Sequence, residues 1–173
     1  LASVSKDFIK ISEQRAKTGV FYIDVDNVSS SIIEKLLDKK LITKDNEKYF
    51  ISHDIFEEWA LEKYLDSLFT KVSSFDEFLM QMGTSFPIRR SYRLWLANKL
   101  GDNNSIVISQ TIDYIKENLN DLYKIQDTII AILLSENANV IFENLDNKLL
   151  ENNCSLLKDI QKILRLACKS LDE

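Results

Sequence analysis

The residues best equipped for chemistry are His53, the only histidine in the chain, and the arginines at 89, 90 and 93. His53 lies in the run Tyr49-Phe50-Ile51-Ser52-His53-Asp54-Ile55-Phe56-Glu57-Glu58-Trp59-Ala60, where a short β pattern over 49–52 gives way to helical periodicity. Asp54 followed by Glu57 reads as a capping box that starts a helix. Ile55, Phe56, Trp59, Ala60, Leu65, Leu68 and Phe69 supply that helix with an apolar stripe. A histidine at such a corner lies beside backbone N–H groups that have no helical partner. It can therefore help hold an anion, above all a phosphate, and sense its presence. The plainer role for the same residue is to cap or pack at the turn.

The second constellation is Pro87-Ile88-Arg89-Arg90-Ser91-Tyr92-Arg93-Leu94-Trp95-Leu96. Arg89 and Arg93 are four apart and share one helical face, with Arg90 alongside and Trp95 and Leu96 turned elsewhere. Such a face can take a phosphate, an acidic partner surface or nucleic acid. The competing assignment is a set of salt bridges to the acidic helix at 54–66. No acid, base or phosphate loop accompanies the arginines. The expectation is a surface contact rather than catalysis, with a fold that survives their replacement.

Composition removes several other functions. No Gly-x-x-x-x-Gly-Lys-[Ser/Thr] occurs, and the three glycines at 19, 83 and 101 are too far apart to supply one. Val20-Phe21-Tyr22-Ile23-Asp24-Val25-Asp26 looks like the metal-supporting strand of a nucleotide hydrolase, yet without that loop it reads as a short structural strand. His53 has no nearby cysteine and no nucleophile-elbow serine, so nucleophilic catalysis has no candidate set. Glu57-Glu58 and Asp76-Glu77 read as solvated helical faces. Cys154 and Cys168, with one distant histidine, do not make a zinc set and read as two buried, reduced thiols. The chain reads as non-enzymatic by itself, with no metal site. A net charge of −5 disfavours broad attraction to nucleic acid or anionic membrane. No apolar run reaches membrane-helix length and no signal-peptide pattern opens the chain, which reads as cytoplasmic. An opening of Leu-Ala-Ser in place of Met is expected of a segment of a longer protein.

The elements that must position these residues are mostly helices, because three glycines and one proline leave few breakers. A first helix is expected over 4–16 with Phe8, Ile9 and Ile11 apolar and Gly19 as its C-cap, followed by a β-rich run at 20–25. Asp26 or Asn27 then caps a helix over 28–40 with Ile32, Ile33, Leu36 and Leu37 on one face. Strands at 41–44 and 48–52 form a hairpin about Asp45-Asn46-Glu47. Lys35, Lys39, Lys40 and Lys44 give this region a modest basic edge, diluted by Glu34 and Asp38. Helices are expected near 54–71, 74–82, 88–100, 104–118, 121–135, 137–150 and 154–171, with caps at Ser74, Asn104 and Asn153 and stops at Gly83 and Gly101. The fold class is mainly α: a small winged-helix unit with a short β-hairpin at 1–53, then an antiparallel helical bundle or irregular α-solenoid at 54–173.

The order of helix, wing, Tyr-Phe-Ile-Ser-His-Asp-Ile-Phe-Glu-Glu-Trp-Ala and long helix resembles the winged-helix portion of STAND-class signalling NTPases, the NACHT and AP-ATPase group, over about residues 1–70. Arg-Arg-x-x-Arg-x-Trp-Leu resembles a segment further downstream in some members. In that family the histidine after the wing contacts the β-phosphate of ADP and holds the resting state, a role the resemblance gives to His53, with Asp54 setting the helix start. Plant members usually carry Met before His-Asp, where this chain has Ser52. The resemblance implies an NTPase domain N-terminal to Leu1 as partner. ADP or ATP with magnesium would be bound only there, and the chain would relay nucleotide state toward a protein partner or self-association surface. Two other readings stand beside it: a winged-helix DNA-binding transcriptional regulator with a helical dimerisation or ligand domain, and a helical scaffold for protein partners.

Overall fold

The computed structural model describes residues 2–26, 28–118 and 122–169. Among them are nine helices and one two-stranded antiparallel sheet, a mainly α fold with a short hairpin. Two compact units divide the chain: Leu1–Ser73 with Glu77–Tyr92, and Ser74–Asp76 with Arg93–Glu173. The 53/54 boundary drawn from the change in periodicity thus lies inside the first unit, because the helix that begins at Asp54 packs on the N-terminal helix.

In the first unit, α1 (Ala2–Thr18) ends at Gly19, whose φ of +69° needs the residue without a Cβ. Of the β-rich run at 20–25, only Ile23 pairs, through one antiparallel bridge in which its N–H donates to the Tyr49 carbonyl at 2.7 Å. Phe21, 82% exposed, precedes it and buries nothing that would extend a strand. Helix α2 (Ser30–Asp38) has Ser29 as N-cap, later than the expected Asp26; Asn27 lies outside the described residues. It closes on Lys40 at φ +55°, where Leu41 N–H reaches back to the Leu36 carbonyl in a Schellman-type turn. Strands β1 (Ile42–Asp45) and β2 (Lys48–Ile51) pair Ile42 with Ile51 and Asp45 with Lys48. Asn46, at φ +53°, occupies the left-handed position of their turn, which an asparagine tolerates. Phe8, Ile11, Ile23, Ile33, Leu36, Ile42 and Ala60 form the core beneath.

Helix α3 (Asp54–Phe69) runs along α1; of the expected stripe Ala60, Leu65 and Leu68 are buried and Phe56 packs on the core, whereas Ile55 and Trp59 turn outward. Its buried residues are Glu57, Ala60, Leu61, Tyr64, Leu65 and Leu68, while Ile55 and Trp59 are 67% and 41% exposed. The spacing 57, 61, 64, 65, 68 is itself a clean helical face, so the turn of the helix about its axis follows Leu61 and Tyr64 rather than the aromatic residues near its start. Helix α4 (Phe75–Met82) begins under a clamp in which the Ser73 N–H and hydroxyl both donate to Glu77, each at 2.8 Å, and it ends at Gly83, φ +91°. Phe78 packs against Tyr92 and Phe69.

The division between units falls within α5 (Phe86–Gly101), and Phe75 and Asp76 at the start of α4 also belong to the second unit. In the second unit, Gly101 is the last residue of α5 rather than its stop; Asn103, φ +55°, takes the left-handed position, and Asn137 donates to the Leu100 carbonyl at 2.8 Å. Helix α6 (Ser105–Glu117) is capped by Asn104, whose side chain accepts from the Val107 N–H, as expected. Helices α7 (Leu122–Leu134), α8 (Ala138–Glu143) and α9 (Asp146–Lys169) complete it, with α7 against both α8 and α9. The break expected between 150 and 154 is a kink within α9, where Asn152, Asn153 and Cys154 are all left-handed. Asn153 is part of that kink rather than a cap. Cys154 is a half-buried free thiol, and the Cys168 side chain lies outside the described residues.

Candidate functional site

Both sequence constellations contribute to one cleft in the first unit. It is a cavity of about 150 Å³ lined by Arg15 and Phe21 from the end of α1 and the loop after it, Asp54, Glu57 and Glu58 from the first turns of α3, and Phe86, Arg90 and Ser91 from the start of α5. Asp54 and Arg90 are therefore brought together, whereas His53, Arg89 and Arg93 do not line it.

His53 is the N-cap of α3, with extended backbone (φ −148°, ψ 140°) and no side-chain cap bond. Its ring is exposed and meets Phe56 edge-on at 5.6 Å. The capping box expected of Asp54 and Glu57 does not form. Asp54 is already the first helical residue, and Glu57 turns inward, 8% exposed, to pair with Arg15. The Arg15 guanidinium also donates from Nε to the Phe21 carbonyl at 3.0 Å, so one side chain ties α1, the following loop and α3 together. Glu57 and Glu58 are consequently not a solvated face. Arg90 closes on Glu58 at 2.6 Å, the salt bridge to the 54–66 helix that the plainer assignment anticipated.

Arg93 pairs with Asp127, a carboxylate only 2% exposed, inside the second unit. This does not fit a purely surface role for all three arginines, since the charge-assisted bond Arg93 makes is to a buried carboxylate. Arg89 is half-buried.

Electrostatically the cleft holds Arg15 and Arg90 against Asp54, Glu57 and Glu58. Two ion pairs neutralise four of these groups and Asp54 is left over, exposed, at the α3 N-terminus, where a negative charge suits the helix dipole. Phe21 and Phe86, 82% and 72% exposed, line it, and the buried Ser91 hydroxyl has no hydrogen-bond partner among the described residues. The cleft is thus a polar slot between two phenyl rings with no excess positive charge for an anion. An anion at this end of α3 would meet His53 and the first-turn N–H groups, but also the exposed Asp54 carboxylate. Among the described residues no cluster of histidine, cysteine or carboxylate groups is arranged to hold a metal ion. Arg15, Phe21, Phe86 and Ser91 escaped sequence reasoning; only Glu57 left a trace, by falling in register with Leu61, Tyr64 and Leu68. No family model matches the chain, and no curated protein does.

Proposed function

We infer that the chain is a regulatory relay module of a STAND-class signalling NTPase, acting with an NTPase domain N-terminal to it in the cytoplasm. The observation that carries this reading is His53: an exposed imidazole directly after the hairpin, at the N-cap of α3, with neither nitrogen engaged in a cap bond. A side chain in that position is free to donate to a phosphate presented by another domain, beside helix N–H groups that favour the same charge. The order α1, bridged Ile23, α2 and hairpin supports the likeness to a winged helix. In this reading ADP on the NTPase domain holds His53 and the hairpin unit in the resting state. Exchange for ATP frees them, and the C-terminal helices pass the change to a partner or to self-association.

The experiment is retention of ADP by the protein with its NTPase domain in place. A charge-assisted hydrogen bond of roughly 1.5–3 kcal/mol makes His53→Ala lose ADP about ten- to a hundredfold more readily. Unchanged retention sinks the sensor role.

A further inference from the structure

The same unit carries a second feature, independent of His53. A groove of about 960 Å³ runs between α1 and α3 and reaches Gln81 of α4. Lys6, Lys10 and Lys17 stand along its α1 wall, Lys63 on α3 and Lys71 in the turn just past the α3 C-cap, and all five are exposed. Only Asp7 and Glu13 oppose them, so the lining carries +3 in a chain of −5, and everything else sums to −8. Glu13 is committed to Lys17 at 2.7 Å, and Lys63 has only a loose contact with Asp66 at 3.9 Å. Lys6, Lys10 and Lys71 have no ion-pair or hydrogen-bond partner among the described residues. Ile9, half-buried, and Leu68, buried, are the apolar aliphatic residues of its lining.

Opposed cationic rows over an apolar strip match an amphipathic helix whose flanks are acidic. Its apolar face would cover Ile9 and the lysine stems, and its carboxylates would meet the ammonium groups. Lys6 to Lys17 covers about 16 Å of helix axis at 1.5 Å per residue, so about three turns of a partner helix fill the α1 wall. Nucleic acid fits less well. No arginine lines the groove, and its one aromatic residue, Tyr64, is buried with the Lys17 ammonium 5.0 Å over its ring, leaving no face for a base to stack on. The strongly negative remainder of the surface also repels a long polyanion. We propose that the α1/α3 groove is the docking site for an acidic amphipathic helix of a partner protein.

The test is a fluorescence-anisotropy titration of the full chain with a labelled 16-residue peptide that carries leucines at i, i+3, i+4 and i+7 and glutamates elsewhere. A peptide of the same composition without the stripe, and a 16-nucleotide single strand, serve as comparators. The striped peptide is expected to bind at least tenfold tighter than either, and the triple variant Lys6→Gln, Lys10→Gln, Lys71→Gln to weaken it at least tenfold. Glutamine keeps helix propensity at Lys6 and Lys10, Lys71 lies in an exposed turn outside the helix, and a melting curve like the parent's shows that the variant folds. The matching variant of the other basic edge, Lys35→Gln, Lys39→Gln, Lys44→Gln, is expected to bind as the parent does. Absence of saturable binding, equal binding of the unstriped peptide, or equal loss in both triple variants would overturn the proposal. Tighter binding of the oligonucleotide would make the groove a nucleic-acid site instead.

Discussion

Removing the Arg15 side chain as Arg15→Met leaves the Glu57 carboxylate 8% exposed without its cation and the Phe21 carbonyl without the Nε donor. Stripping one partner from a fully buried pair costs roughly 3–5 kcal/mol. The two side chains here keep 14% and 11% of their exposure, and water reaching them screens part of the loss. The expected destabilisation is therefore about 2–4 kcal/mol. Glu57→Leu alone strands the guanidinium, which can swing toward solvent from the end of α1, so it should cost less, about 1–2 kcal/mol. In the double variant two apolar chains fill the space and no charge is buried, which should recover most of the loss and give a coupling energy of about 1–3 kcal/mol. The chain supplies its own reporters, because Trp59 belongs to the first unit and Trp95 to the second. Urea unfolding followed by Trp59 fluorescence in a Trp95→Phe background reads the first unit by itself. A coupling energy indistinguishable from zero, or an Arg15→Met variant within about 0.5 kcal/mol of its parent, would refute the argument that this pair holds α3 on α1.

Arg93→Met should take about 1.5–3 kcal/mol from the second unit, read by Trp95 fluorescence, because it removes a charge-assisted bond to a buried carboxylate that keeps another partner. Arg90→Met should take less than about 1 kcal/mol from the first, because the Arg90 side chain is half exposed. The Ser73 N–H, the Ser73 hydroxyl and the Gln81 amide all donate to Glu77 and hold its carboxyl below the usual carboxylate range. That contribution is present above the unfolded value near roughly pH 4.3 and is lost as pH falls through the lower folded value. Urea midpoints should therefore fall more steeply with acidification in the parent than in Glu77→Gln. Gly19→Ala meets no atom within 4 Å but must keep φ +69°, a cost of about 1–2 kcal/mol; Gly101→Ala meets none either and has no such strain, so it should gain up to about 1 kcal/mol. Thermal melts of the two variants read the opposite signs.

The fold was most legible where a residue type answers to one backbone geometry. Gly19 and Gly83 mark the helix ends expected of them, Asn104 caps α6, and the turn about Asn46 closes the hairpin. It was least legible where packing chose among equivalent faces. The start of α3 offers Ile55, Phe56 and Trp59 as an apolar stripe, yet Leu61 and Tyr64 meet α1 and turn Ile55 and Trp59 outward. The same rotation buries Glu57 and hands it to Arg15, a partner 42 positions away that no local pattern announces. Likewise Arg89, Arg90 and Arg93 look like one patch because helical spacing is local, while their partners are set by whichever helices lie opposite. Glu58 takes Arg90 and Asp127 takes Arg93.

The lysine groove was hidden for a related reason. On α1 its lysines alternate with Asp7 and Glu13, so no window of the sequence looks basic, and Lys63 and Lys71 enter only because α3 and the turn after it lie alongside. The two helices that form the groove are the ones Arg15 and Glu57 join, which links the stability argument to the docking proposal. If the pair sets the spacing of the groove walls, Arg15→Met should weaken the striped peptide as well as unfold more easily. The Arg15→Met, Glu57→Leu variant should then regain both. Recovery of stability without recovery of binding would mean that the cleft's charges, rather than the helix spacing they enforce, reach the peptide.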